Sequence, residues 1–148
     1  MTEAASVIAT LRADTRVERR PGAMGCQVTT HDHGKLADVL DYFGSHAHRL
    51  AIDTAVIMDG IHVPRADALM AMKFAALTSS ARPQAKRYLD LADLIYLVDR
   101  YHRGGDATEE VEAIARVVEA DACGDPELGA TRWRALHAAI LAGAPITI

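Results

Sequence analysis

The second half of the chain is a series of helical segments separated by glycine and proline, and this pattern constrains the fold most strongly. Apolar residues recur at intervals of three and four, and Pro83, Gly104-Gly105 and Pro126 interrupt the pattern. Asp106, with Glu109 three residues later, is typical of a capped helix start. The spacing predicts four helices, at about residues 64–78, 84–100, 106–123 and 127–141.

The first half of the chain mixes helical and extended patterns. Asp32 can cap a helix that Gly44 ends, and Asp59-Gly60 is a tight-turn signal between two apolar runs. Two segments have helical spacing, residues 2–13 and 33–42. Four segments favour strands: residues 16–20, 26–30, 49–58 and 61–63.

These elements predict an α/β (α+β) fold of one domain overall. We expect a small mixed sheet flanked by helices over residues 1–104, and a C-terminal helical pair over residues 105–148 that packs on it. The 148 residues are half hydrophobic, which suits one globular domain.

Composition also limits the partners. No run approaches 18 apolar residues and no export signal is visible, so we expect a cytoplasmic protein without a membrane span. The formal net charge of −4 gives no basic excess, so nucleic-acid binding is open but not indicated by charge. Cys26 and Cys123 show no metal or redox spacing and are expected to be reduced.

Lys73 is unusual because it lies in an almost uncharged helical segment. Its neighbours three and four residues away are Leu69, Met70, Ala76 and Leu77. An ammonium group in that position either extends to water or meets an anion. A phosphate ligand and a solvated lysine both fit this pattern.

Asp90 and Asp93 are three residues apart and lie on one stripe of the predicted helix 84–100. Paired carboxylates can hold Mg²⁺ or act as a base. The same stripe carries Lys86, so a solvated face with a Lys86–Asp90 pair is the alternative. The histidine pairs His31-x-His33 and His46-x-His48 lack a Cys or Glu at zinc-motif spacing, so we predict no metal site.

Residues 61–98 carry a family resemblance: IHVPRADALMAMKFAALTSSARPQAKRYLDLADLIYLV. A Val-Pro after a strand, Leu69 with Lys73, a basic linker over residues 82–87, and Asp90 with Asp93 follow one another. This order resembles the nucleotidyltransferase-like proteins related to the AbiEii toxins, many of which belong to bacterial toxin–antitoxin pairs. The resemblance implies a small mixed sheet flanked by helices and, in active members, Mg²⁺ and a nucleoside triphosphate as cofactors.

The resemblance also implies roles for individual residues. Asp90 would be the catalytic acid and Asp93 the supporting acid. Lys73, Lys86 and Arg87 would bind the nucleotide. The family's metal-binding half, a Gly-Ser turn followed by an Asp-x-Asp strand, has no counterpart at residues 25–30, which contain no acid.

The expected function is therefore a degenerate nucleotidyltransferase-like protein that binds a nucleotide or a partner with little or no transfer. One alternative is an active Mg²⁺-dependent enzyme with a changed acid set, such as Asp32 with Asp53 or Asp90. Another is a non-enzymatic module that binds a protein partner or forms a homo-oligomer. Its acidic C-terminal helices and the apolar tail over residues 142–148 would supply the contact surface.

Overall fold

A computed structural model describes residues 15–19, 25–30, 32, 34–40, 45–121 and 126–146. The predicted helix over residues 2–13 lies outside these residues. The chain divides into two compact units, residues 1–43 and 44–148, and the predicted boundary at residue 104 falls inside the second. The fold is α+β, and most of the described residues are helical.

The first unit contains a three-stranded antiparallel sheet in the order β1-β2-β3. The strands are β1 (Thr15–Arg19), β2 (Gly25–Thr30) and β3 (Lys35–Leu40). Val17 pairs with Val28 between the first two strands, which confirms the predicted extended segments. Between β2 and β3 the pairing register shifts between Val28 and Thr29, so the ladder is irregular at this point.

The helix predicted over residues 33–42 is wrong, because β3 occupies most of that segment. Asp32 does not cap a helix. Its carboxylate accepts hydrogen bonds from the Thr30 hydroxyl and, at 3.4 Å, from the backbone N–H of Gly34. The Thr30 N–H donates to the Gly34 carbonyl at 2.8 Å, which closes the connection between β2 and β3. Aspartate is favoured both at helix starts and in turns. Here the pairing of β3 with β2 stabilises the turn.

The strand predicted over residues 49–58 is only partly correct. The second unit begins with helix α1 (His46–Asp53), followed by β4 (Val56–Met58) and β5 (Ile61–Val63). Ser45 caps α1, and Ala47 and Ala51 lie buried one turn apart. β4 and β5 form an antiparallel hairpin around Asp59-Gly60, where both residues have positive φ angles of 51° and 78°.

The four predicted C-terminal helices are confirmed with small changes in their ends. They are α2 (Ala66–Thr78), α3 (Gln84–His102), α4 (Thr108–Asp121) and α5 (Pro126–Ala142). The Asp106 carboxylate accepts from the N–H of Thr108, the first residue of α4, at 3.0 Å, so it binds at the helix start through Thr108 and not through the predicted pair with Glu109. The predicted single mixed sheet is not observed, because the described strands pair only antiparallel and in two separate sheets.

The core of the second unit lies among all five of its described helices. Trp133 of α5 is fully buried, meets the Phe74 ring edge-on at 5.6 Å, and donates from Nε1 to the Val111 carbonyl at 3.0 Å. In the tail, Ile146 is partly buried against this core, whereas residues 142–145 are exposed. Within the described residues, no helix is both long and apolar enough to span a membrane.

Candidate functional site

The residues that the resemblance groups together lie on α2 and α3, which pack side by side. Lys73 is in the middle of α2, and Asp90 and Asp93 are in the first half of α3. Pro83 cannot continue a helix, so the chain breaks between them and turns back over a five-residue linker. This turn brings residues 17 and 20 positions apart into contact.

Lys73 lies between the two acids. Its Nζ is 3.2 Å from Oδ1 of Asp90 and 2.5 Å from Oδ2 of Asp93. Arg82, in the linker, binds Asp90 through two nitrogens: Nε donates to Oδ2 at 2.8 Å and Nη2 donates to Oδ1 at 3.1 Å. These four side chains are called the ion cluster below. Two cations and two carboxylates make it neutral overall.

Asp90 is the buried member of the ion cluster, with 2% of its side chain exposed. Burial alone would raise the pKa of this carboxyl group. The hydrogen bonds and charges of Arg82 and Lys73 outweigh burial and hold the pKa below its usual value. Asp90 therefore stays ionised. The interpretation of Asp90 as part of a solvated face paired with Lys86 is wrong, because its partners are the cations of α2 and the linker.

Lys73 connects the buried acid to the surface. Its side chain is 34% exposed, and that of Asp93 is 52% exposed. The hydrogen bond with Asp93 raises the pKa of Lys73, and the contact with Asp90 adds to this against the opposing effect of burial. An ammonium group has three N–H donors. Within the described part of the chain, two of these donors are used by Asp90 and Asp93. The third can bind a further acceptor.

The two other predicted nucleotide-binding residues lie in the first turn of α3 and behave differently. Arg87 donates from Nε to the Arg82 carbonyl at 3.1 Å and from Nη2 to the Ser79 carbonyl at 2.9 Å, so it stabilises the linker. Lys86 is exposed to solvent. The described first turn of α3 contains no acidic residue.

The arrangement limits what chemistry the ion cluster can perform. The Asp90 carboxylate accepts three hydrogen bonds from cations and is 2% exposed, so the positive charges beside it disfavour both a metal ion and a proton there. Among the described residues, no three His, Cys, Asp or Glu side chains form a group that could hold a metal ion. An anion that approaches Lys73 can accept from its third N–H group or displace the exposed Asp93.

Other candidate residues do not join the ion cluster. Asp53 is exposed and pairs with Arg49 of its own helix at 2.6 Å. His46 and His48 do not face one ligand, because His46 Nδ1 is 3.1 Å from Asp121 and His48 Nδ1 is 3.0 Å from the Ser45 hydroxyl. His31 and His33 lie outside the described residues.

Three interactions were not predicted. The first is the Arg82 clamp on Asp90, although the sequence places an arginine in the linker eight residues before that acid. The second is the buried contact between His102 Nδ1 and His137 Nε2 at 3.0 Å. The third is the carboxylate of Asp121, which accepts from the backbone N–H groups at the start of α1. The last two join residues 35 and about 75 positions apart, and no local pattern signals them.

Comparison of the chain with protein-family models, with curated proteins and with solved structures gave no match.

Proposed function

We propose that this chain is a nucleotidyltransferase-like protein of the bacterial toxin–antitoxin type, which binds a nucleoside triphosphate at Lys73 and transfers little or no nucleotide. The observation that carries the proposal is the contact of Lys73 with both Asp90 and Asp93 at a partly exposed surface. The family resemblance groups the same three residues. We expect the protein to be cytoplasmic, and the cytoplasm contains nucleoside triphosphates.

Phosphate binding at Lys73 is supported by the exposure of its partners. Asp93 is half exposed, so it can turn into water when a phosphate replaces it. Asp90 stays in place because Arg82 holds it with two hydrogen bonds. The neighbouring first turn of α3 adds Lys86 and a helix N-terminus, both of which favour anions.

We expect little or no nucleotide transfer because the ion cluster has few carboxylates available to bind metal ions. Two-metal phosphoryl transfer needs acids that coordinate the metal ions bridging the phosphates. Asp90 is buried and accepts three hydrogen bonds from Lys73 and Arg82, so the ion cluster offers one exposed acid, Asp93. We therefore expect binding without efficient chemistry, and Mg²⁺ would act through the bound triphosphate.

Thermal unfolding with each of the four nucleoside triphosphates, with and without Mg²⁺, tests this function. A ligand present at about 100 times its Kd stabilises by roughly 2.7 kcal/mol, which raises Tm by several degrees. Lys73→Met keeps the aliphatic stem and should abolish the shift. Arg100→Ala removes an exposed cation of the neighbouring helix α3 and should leave the shift unchanged. No shift with any nucleotide, or an equal loss in both variants, would contradict the proposal.

Asp93→Asn provides a second test of the same site. Asp93 competes with phosphate for Lys73, and exposed ion pairs are worth up to about 1 kcal/mol. Removing its charge should tighten nucleotide binding by up to about fivefold, measured by titration calorimetry. Weaker binding by Asp93→Asn would instead favour a metal-ligand role. Mg²⁺-dependent labelling of an acceptor at an enzyme-like rate would favour the active alternative.

A further inference from the structure

Helix α3 carries an apolar stripe on the side that faces away from its packing partners. Its buried side chains Leu91, Leu94 and Val98 contact the core of the second unit. At about 100° per residue, four large apolar side chains fall within one arc of about 120° on the other side. They are Tyr88 (56% exposed), Leu89 (66%), Ile95 (41%) and Tyr96 (66%).

The stripe is nearly symmetric about Ala92. Tyr88 and Leu89 lie four and three residues before it, and Ile95 and Tyr96 lie three and four residues after it. A two-fold axis through Ala92, with a second helix running antiparallel, places Tyr88 opposite Tyr96 of the second copy. It also places Leu89 opposite Ile95 of the second copy. Such self-complementarity is what an interface between identical chains requires.

We infer that this stripe is the docking surface for a second copy of the chain, with the two α3 helices antiparallel. Small Ala92 at the axis lets the two backbones approach closely. The inference does not depend on nucleotide binding, because the stripe contains none of the residues of the ion cluster.

The charges at the end of the stripe favour the antiparallel arrangement. Asp99 and Arg103 follow the apolar side chains and already pair with each other within one chain. In the antiparallel register Asp99 lies opposite Ala85 of the second copy, so it meets no like charge. A parallel arrangement would place Asp99 opposite Asp99 of the second copy, which is unfavourable.

The area of the stripe predicts a weak, reversible dimer. With about 150–250 Å² for a fully exposed aromatic side chain and somewhat less for Leu or Ile, the four side chains would bury about 400 Å² per copy. The flanking alanines and polar residues bring the two-chain total to about 1,000 Å², the lower limit for a specific interface. We therefore expect a Kd weaker than about 1 μM.

Sedimentation velocity over a wide concentration range tests the dimer. The sedimentation coefficient of the full chain should rise with concentration from that of a monomer towards that of a dimer. Tyr96→Glu should remove this rise. Tyr101→Glu is the matched control, because Tyr101 is 61% exposed on the same helix but lies about 140° away from Tyr96. A monomer at every concentration, or equal effects of the two variants, would overturn the inference.

Disulfide cross-linking tests the register. In a background with Cys26 and Cys123 replaced by serine, Ala92→Cys should form a covalent dimer under mild oxidation, since the axis passes through it. Ala85→Cys should not form one. Residue 85 lies seven residues from the axis in each copy, so the two cysteines are about 21 Å apart along the helices, too far for a disulfide. Cross-linking at both positions would indicate that the two helices are parallel. Cross-linking at neither position would indicate that the chains associate through a different surface. Both results contradict the inference.

Discussion

Replacing Asp90 by Asn tests how much the ion cluster stabilises the packing of α2 against α3. The Asp90 side chain is 2% exposed and accepts hydrogen bonds from Lys73 and, through both oxygens, from Arg82. Asparagine keeps the volume, but it loses the charge and presents an N–H donor to a cation that also donates. The change therefore breaks at least one charge-assisted hydrogen bond and weakens the others.

The size of the effect follows from burial. A hydrogen bond to a charged group contributes about 1.5–3 kcal/mol, and breaking a fully buried ion pair costs about 3–5 kcal/mol. The side chains of Lys73 and Arg82 are 34% and 35% exposed, so both cations can regain water when Asp90 is lost. We therefore expect Asp90→Asn to lower the free energy of unfolding by about 2–3 kcal/mol, or Tm by roughly 10 °C.

Urea unfolding followed by far-ultraviolet circular dichroism measures this loss. Asp93→Asn is the control on the same helix, because Asp93 is half exposed and its single ion pair is worth at most about 1 kcal/mol. The lowered pKa of Asp90 sets the pH range: its contribution is complete above the unfolded value of 3.8 and is lost as the pH falls below it. An Asp90→Asn variant as stable as Asp93→Asn would refute the reasoning.

Three further perturbations test other parts of the second unit. Asp121→Ala removes the carboxylate that caps α1, and should cost about 1–2 kcal/mol in urea unfolding; an unchanged midpoint contradicts this. Burial lowers the pKa of His102 and His137 in the folded chain, so as the pH falls the unfolded chain takes up protons at a higher pH than the folded chain does. Thermal stability should thus decline as the pH falls from about 6.5, and decline less in His137→Phe. Trp133→Phe loses a buried hydrogen bond and ring volume, and should cost about 2–4 kcal/mol in urea unfolding; a smaller loss would mean that the core closes around phenylalanine.

The C-terminal helices could be predicted because their signals are local. Pro83, Gly104-Gly105 and Pro126 interrupt the chain where the structure also ends or begins helices. The apolar spacing between these breaks matches the sides that pack into the core. Each of these segments has at least 13 residues, and such a length gives the helical period enough repeats to be recognised.

The two wrong segments in the first sixty residues are short, and their sequences suit more than one structure. Residues 35–40 have helical spacing, yet the turn at Asp32 and pairing with β2 make them a strand. Residues 49–58 are predicted as extended, but residues 49–53 belong to helix α1. Helix α1 forms there because Ser45 caps it and Asp121, about 75 residues later, binds its first N–H groups. Tertiary contacts of this kind override local propensity.

The sequence predicted three residues of the candidate site, Lys73, Asp90 and Asp93, but not all of the contacts that they make. The contact of Lys73 with Asp90 and Asp93 requires two helices to turn back on each other, and the linker over residues 79–83 signals that turn. The sequence could not show that Arg82, and not Lys86, would bind Asp90. Arg82 reaches the acid from the linker, where its position depends on how the chain bends.

Lys73 and Asp90 share an ion pair, but their roles in stability and in ligand binding are separable. Asp90 is buried, so its variants will unfold more easily, and a loss of nucleotide binding in them has two explanations. Lys73→Met leaves Asp90 both of its hydrogen bonds from Arg82, and Asp93 is half exposed, so these two variants should destabilise the fold less than Asp90→Asn does. Evidence for a nucleotide site must therefore come from Lys73→Met and Asp93→Asn. These variants should change affinity in opposite directions, and a purely structural role for the ion cluster does not predict that result.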